Sequence, residues 1–139
     1  MTRVMAQGVF DLLHPGHLHY LRESAALGDE LHVVIARDSR LEGRKEVVMP
    51  EDARRDVVAA LAVVDEAVLG SEDSIFDSVE RIQPDVITLG YDQGHDEAEL
   101  EEKLSAEGFD GVEVVRIGEY EGGIASSTEL RNRSASRSG

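Results

Sequence analysis

The chain is predicted to fold as an α/β domain, a single doubly wound parallel sheet of about five strands with helices on both faces. Three observations carry that prediction. Short apolar runs of strand length alternate with stretches whose apolar residues recur at helical spacing, the order that builds a parallel sheet. A length of 139 residues with 41% hydrophobic content suits one domain around one core. No internal repeat marks a second domain.

The elements follow in order. Val4-Met5-Ala6 is a buried strand bounded by Gly8. Leu18, Leu21, Ala25 and Leu27 then recur at helical spacing, with Arg22 and Glu23 on the other face, in a helix that begins near Gly16 or His17. Leu31 to Ala36 is the second strand, followed by a polar loop from Arg37 to about Met49. Pro50 and Glu51 open a helix carrying Val57, Val58 and Leu61. Ala67-Val68-Leu69 is a short strand ended by Gly70, and Ile75, Val79 and Ile82 mark an amphipathic helix that Pro84 stops. Val86 to Leu89 is the fourth strand, Leu100 and Leu104 mark another helix, and Val112 to Val115 is the fifth strand. Residues 1–131 are read as the domain and 132–139, rich in Ser, Arg and Gly, as a flexible tail.

In such a sheet ligands sit outside the carboxyl ends of the strands, which directs attention to the junction Gln7-Gly8-Val9-Phe10-Asp11-Leu12-Leu13-His14-Pro15-Gly16-His17. A helix N-terminus there offers unpaired backbone N–H groups and the positive end of the macrodipole, a setting for phosphate. Gly16 lets a ligand approach the backbone, and His14 and His17, three residues apart, can converge on one anion. Neither has to act as a nucleophile or metal ligand, because both can donate N–H to phosphate oxygens as charge builds. The plainer reading of either histidine is a helix cap or a solvated surface group.

Composition excludes several classes. There is no cysteine, hence no disulfide, thiolate zinc site, iron–sulfur cluster or thiol nucleophile. A formal net charge of −15 argues against nonspecific nucleic-acid binding. Lys45 and Lys103 are the only lysines, and so acidic and lysine-poor a chain fits adaptation to high salt, the alternative being an ordinary acidic protein. No apolar run reaches membrane-spanning length and no signal peptide precedes the first strand, so the expected location is cytoplasmic. Against this background Arg37, Arg40, Arg44 and Lys45 crowd together. They form either a site for a triphosphate or phosphorylated acceptor, or a solvated loop balanced by Asp38, Glu42 and Glu46.

Further chemistry lies in the later loops. Ser126, Ser127 or Thr128 can cap a short helix whose N–H groups face an anion, with Arg131 placed to close over a phosphate, or the same residues form an ordinary capped surface helix. Asp92 either accepts from a ribose or base donor or caps the turn before a helix starting near Asp96. Asp92, His95, Asp96 and Glu97 have metal-ligand chemistry, but consecutive residues seldom converge without a scaffold, and no dedicated metal site is assigned. Tyr91 and Tyr120 are stacking candidates for a base or another planar ring.

Gly8-Val9-Phe10-Asp11 followed by His14-Pro15-Gly16-His17 resembles the HxGH signature of the cytidylyltransferase-like nucleotidyltransferases, a superfamily that includes glycerol-3-phosphate cytidylyltransferase and archaeal FAD synthase. Val9 departs from the family's usual Thr and removes a hydroxyl while leaving the backbone contacts of Val9 and Phe10. Ser126 to Arg131 is similar to the family's second motif, with Ala125 separating it from Ile124 and Glu129 replacing the usual base. Leu27 to Leu31, the segment from Arg54 to Glu66, and Pro84 to Gln93 resemble the archaeal FAD synthases most closely.

The resemblance implies a Rossmann-like nucleotidyltransferase fold and FMN adenylyltransferase activity, the transfer of AMP from ATP to FMN with release of pyrophosphate. It implies that His14 and His17 are catalytic, and that Val9, Phe10, Pro15, Gly16, Asp92, Tyr120, Ser127 and Arg131 join them in holding the nucleotide. Lys45 and Arg54 are carried over as phosphate or acceptor contacts, Arg54 having a surface ion pair with Glu51 or Asp52 as its alternative. A divalent ion, Mg²⁺, would arrive with ATP. Homodimers are common in the family, although no stripe in this chain calls for one. CTP-dependent transfer to a small phosphoalcohol and a non-catalytic nucleotide-binding module are the alternatives, the latter kept open by Val9.

Overall fold

The computed structural model describes residues 1–41, 48–91 and 96–119. Five parallel strands, β1 (Arg3–Gly8), β2 (Glu30–Ile35), β3 (Glu66–Leu69), β4 (Val86–Leu89) and β5 (Glu113–Arg116), lie in the order β3-β2-β1-β4-β5. Four helices connect them: α1 (Pro15–Ala25), α2 (Glu51–Ala59), α3 (Ile75–Ile82) and α4 (Glu97–Ala106). This is the predicted doubly wound architecture.

Side-chain alternation along the strands makes two apolar layers. Val4 and Ala6 of β1 pack with Leu31, Val33 and Ile35 of β2 beneath Leu21 of α1 and Val58 of α2. Met5 of β1 turns to the opposite face, where Ile87 and Leu89 of β4 meet Val79 and Ile82 of α3 and Leu100 and Leu104 of α4. A sheet covered on both faces can bury nearly continuous apolar runs, as the fully buried β4 does.

Several boundaries differ from the sequence reading for local reasons. Leu27 lies beyond the end of α1 and is exposed, because the helix closes at Ala26 and the chain returns through Gly28. A Cβ at Gly28 would stand 2.7 Å from the Thr2 carbonyl, so only glycine fits that return. Val57 points outward while its neighbour Val58 is buried, the one-residue rotation that a helix imposes. The expected polar loop after β2 contains a 3₁₀ turn over Asp38–Leu41 that buries Leu41. Gln83 caps α3 in the left-handed conformation, one residue ahead of Pro84. Among the described residues no helix is long and apolar enough to cross a membrane. The tail 132–139 lies outside the described residues.

Candidate active site

Order of the strands fixes where the site must be. The chain winds outward from β1 to β2 and β3, then restarts at β4 on the other side of β1, so the switch point lies between β1 and β4. At the carboxyl end of β1 the backbone turns sharply at Phe10, which takes φ +52°. That turn folds the Phe10 ring back over Gly8, where a Cβ would stand 2.8 Å from the ring. Phe10 is buried and touches two rings of α1, Tyr20 stacked at 6.4 Å and His17 edge-on at 5.4 Å between centroids. The turn and its aromatic packing thereby aim the start of α1 at the switch point.

His14 and His17 are brought together as predicted, their rings stacked with centroids 3.8 Å apart. His14 is also the N-cap of α1, its Nδ1 accepting from the Gly16 N–H at 3.1 Å. A nitrogen that accepts carries no proton, so the geometry assigns the proton of this imidazole to Nε2 as a donor. The capping and ligand-binding readings of His14 are therefore compatible on one ring. Pro15 occupies the first turn without an N–H, and the amides of His17 and Leu18 both bond the His14 carbonyl, at 2.9 and 3.2 Å. The expectation of unpaired N–H groups at this terminus is corrected accordingly: His14 satisfies them from its side chain and carbonyl. The terminus keeps its macrodipole, with no acidic residue in the first turn to cancel it, and carries the two stacked imidazoles beside it.

His17 is held neutral. Burial and the neighbouring His14 lower its pKa from 6.5 to about 4, offset only in part by the Leu12 backbone. Its Nδ1 is buried without a hydrogen-bond partner among the described residues. A His17 ring held neutral can stack this closely on His14, whereas two imidazolium rings would repel.

Arg54 is placed differently from either reading in the sequence. It is 0% exposed and bonds the Met49 carbonyl through Nε at 3.0 Å, the Val9 and Ala36 carbonyls through Nη1 at 2.9 Å each, and Asp38 through Nη2. The arginine thus forms no surface ion pair with Glu51 or Asp52, and its guanidinium is engaged by carbonyls of the protein and by Asp38. It ties the segments after β1 and β2 to the entrance of α2. Its guanidinium holds the Asp38 carboxyl below the usual range. Val9, whose side chain lacks the family's hydroxyl, contributes its carbonyl to this strut.

Sequence reasoning passed over Asp11 as a functional residue. This buried carboxylate accepts the Val48 N–H at 2.8 Å and the Met49 N–H at 2.8 Å, tying the turn after β1 to the residues just before α2. Its place in the Gly8-Val9-Phe10-Asp11 run was the available signal. Arg37 and Arg40 of the basic cluster turn to the protein itself: Arg37 bonds the Gly70 carbonyl at 2.7 Å and Glu51 at 3.3 Å, and Arg40 the Glu72 carbonyl at 3.3 Å. Asp96 caps α4 through the Glu99 N–H at 3.0 Å, and Glu97 pairs with Arg116. Tyr91, at the end of β4, is exposed. Arg44, Lys45, Asp92, His95, Tyr120, Ser127 and Arg131 lie outside the described residues. Among the described residues no three His, Asp or Glu side chains converge as a metal cluster would.

Comparison with known proteins agrees with this fold. An FAD synthase of Halorhabdus utahensis is 50% identical over 137 residues, covering 99% of this chain and 96% of that protein. An FAD synthase of Thermoplasma volcanium is 48% identical over 134 residues, covering 96% and 94%. A crystal structure described as the lipopolysaccharide core biosynthesis protein from Thermoplasma volcanium superposes with a TM-score of 0.83 at 50% identity, over 87% of this chain and 99% of that one. The chain matches the cytidylyltransferase-like family over residues 5–133, and with the paired histidines at the switch point it belongs to that family.

Proposed function

We propose that the protein is an FMN adenylyltransferase that transfers AMP from ATP to FMN, giving FAD and pyrophosphate. The observation that carries the reading is the stacked pair His14 and His17 at the start of α1, beside the β1–β4 switch point, in a chain about half identical to FAD synthases over nearly its whole length. An oxygen of the FMN phosphate attacks the α-phosphorus of ATP in line, the bond from that phosphorus to the bridging oxygen breaks, and pyrophosphate leaves. No covalent enzyme intermediate is needed. The proton on Nε2 of His14 and the imidazole of His17 stabilise charge as it develops on the phosphate oxygens, at the positive end of the α1 dipole.

Lys45, Ser127 and Arg131 complete this reading as contacts to the phosphates, and Asp92 and Tyr120 as contacts to the nucleoside. Mg²⁺, arriving with ATP, would neutralise phosphate charge. The acidic, lysine-poor composition and the Halorhabdus relative support a halophilic enzyme, and its setting is read as cytoplasmic.

Pyrophosphate release is measured in high salt with Mg²⁺, crossing ATP and CTP against FMN and glycerol-3-phosphate, with FAD followed by chromatography. FAD formed from ATP and FMN is the expected result. Turnover only with CTP and glycerol-3-phosphate, or silence in all four combinations, would overturn it.

A further inference from the structure

β1 parts from β4 early. Its pairing with β2 runs from Arg3 opposite Glu30 to Gly8 opposite Ile35, whereas its pairing with β4 comprises Val4 opposite Val86 and Met5 opposite Ile87. Alternate residues of a strand bond opposite neighbours. The Gly8 carbonyl receives the Ala36 N–H on the β2 side, so the Gln7 N–H is directed toward β4. Carrying the β1–β4 register forward would set that N–H on the Thr88 carbonyl.

A side-chain hydroxyl stands there instead. Tyr20 Oη accepts from the Gln7 N–H at 3.2 Å and donates to the Thr88 carbonyl at 2.9 Å, so two bonds in series replace one rung of the ladder. Thr88 Oγ1 lies 3.2 Å from the same hydroxyl and 2.8 Å from Ser24 Oγ, which fills the remaining acceptor position of the phenol. Ser24, Tyr20 and Thr88 are all buried. A buried phenol in that arrangement remains a neutral donor, its pKa raised chiefly by desolvation.

The position gives this inserted hydroxyl its meaning. In an open α/β sheet the ligand crevice lies where the strand order reverses, which here is between β1 and β4. Tyr20 lies one turn beyond His17 on α1, and the Phe10 ring contacts both. We propose that Tyr20 is a positioning residue for the transfer reaction: its hydroxyl wedges β1 away from β4 and sets the width of the crevice in which phosphates meet His14 and His17. The proposal rests on the nucleotidyl-transfer reading above.

Tyr20→Phe removes one oxygen and keeps the ring against Phe10, leaving the Gln7 N–H and the Thr88 carbonyl to bond each other. The expected result is an ATP Kd by calorimetry and an ATP KM both raised about tenfold or more, as a misplacement of reacting groups by about an ångström warrants. Ser24→Ala opens the other end of the same network without touching the ladder; it lowers the melting temperature and leaves Kd and KM within about twofold of wild type. Equal effects of the two variants on Kd, or an unchanged Kd in Tyr20→Phe, would overturn the wedge. Through-hydrogen-bond NMR couplings test it in the wild-type chain as well: a Gln7 N to Thr88 C′ coupling is expected only in Tyr20→Phe, and its presence in wild type would refute the proposal whether or not the variant folds. Failure of the functional reading shows separately, as a wild-type chain that binds ATP and makes no FAD.

Discussion

Replacing Arg54 by Met tests whether this side chain holds the fold or the substrate. The guanidinium is 0% exposed and its loss strands the carbonyls of Met49, Val9 and Ala36, while Asp38, whose side chain is 48% exposed, recovers water. A buried polar group left without its partner costs about 1–3 kcal/mol, and removing one member of a buried ion pair about 3–5 kcal/mol. With three carbonyls partly rehydrated and Asp38 solvated, the expected destabilisation is about 4 kcal/mol, a large share of the ~5–15 kcal/mol that holds a domain together. For a chain of this size that lowers Tm by about 10–20 °C. Thermal and urea unfolding at fixed pH and salt measure it. Arg54→Lys keeps the charge but loses the planar fork that reaches three segments, and retains about half of the stabilisation. A Lys variant with wild-type stability and a raised KM for FMN would refute the argument and return Arg54 to the acceptor phosphate.

Other expectations follow from the same contacts. Because His17 titrates at about 4 when folded and 6.5 when free, the unfolded chain takes up a proton that the folded chain refuses; stability is fully present above pH 6.5 and falls by about 3 kcal/mol toward pH 4. His17→Asn should remove that slope, and a wild-type-minus-variant difference that is flat over the window would show the ring is not held neutral. His14→Asn preserves an N-cap and removes the Nε2 donor, so Tm stays within a few degrees while turnover falls about 100-fold or more; full turnover would sink the catalytic role. Asp11→Asn loses charge-assisted bonds to Val48 and Met49, at a cost of about 2 kcal/mol. Hydrogen exchange at those two amides should accelerate, and unaltered protection would count against the tether.

What the sequence disclosed and what it withheld divide along a physical line. Apolar periodicity reports burial of side chains, so the five strands, the four helices and the pairing of His14 with His17 over Pro15-Gly16 were readable from spacing. Hydrogen bonds between segments distant in the chain leave no such period. Arg54 sits among charged neighbours in an acidic helix start and reads as solvated, yet its partners Val9, Ala36 and Asp38 are 45, 18 and 16 residues away. Asp11 stands in the Gly8-Val9-Phe10-Asp11 run, which does not reveal that it binds amides 37 and 38 positions on. Tyr20 fits the apolar helical pattern as a core residue, and nothing in that pattern reveals that its hydroxyl replaces a ladder bond. The unpaired helix amides were misjudged for a related reason: a histidine is an unusual cap, and its capping shows only once the ring is seen turned back on Gly16.

These buried contacts bear on how a protein of net charge −15 can present a site to phosphates. Arg54 and Arg37 face the protein's own carbonyls and carboxylates, so their charge stiffens the loops. The anion-facing groups are a helix terminus with no acid in its first turn and two imidazoles, that of His14 capping the helix through Nδ1 and that of His17 kept neutral chiefly by burial. Neutral donors bind a ground-state phosphate weakly and gain as charge concentrates on the oxygens being attacked, which is the differential that lowers a barrier. A permanently charged pair in the same place would tighten substrate and transition state together, and would repel itself at the observed 3.8 Å separation. The rigidity supplied by Arg54, Asp11 and the Tyr20 hydroxyl is therefore part of the chemistry, because neutral donors work only where their geometry is fixed in advance.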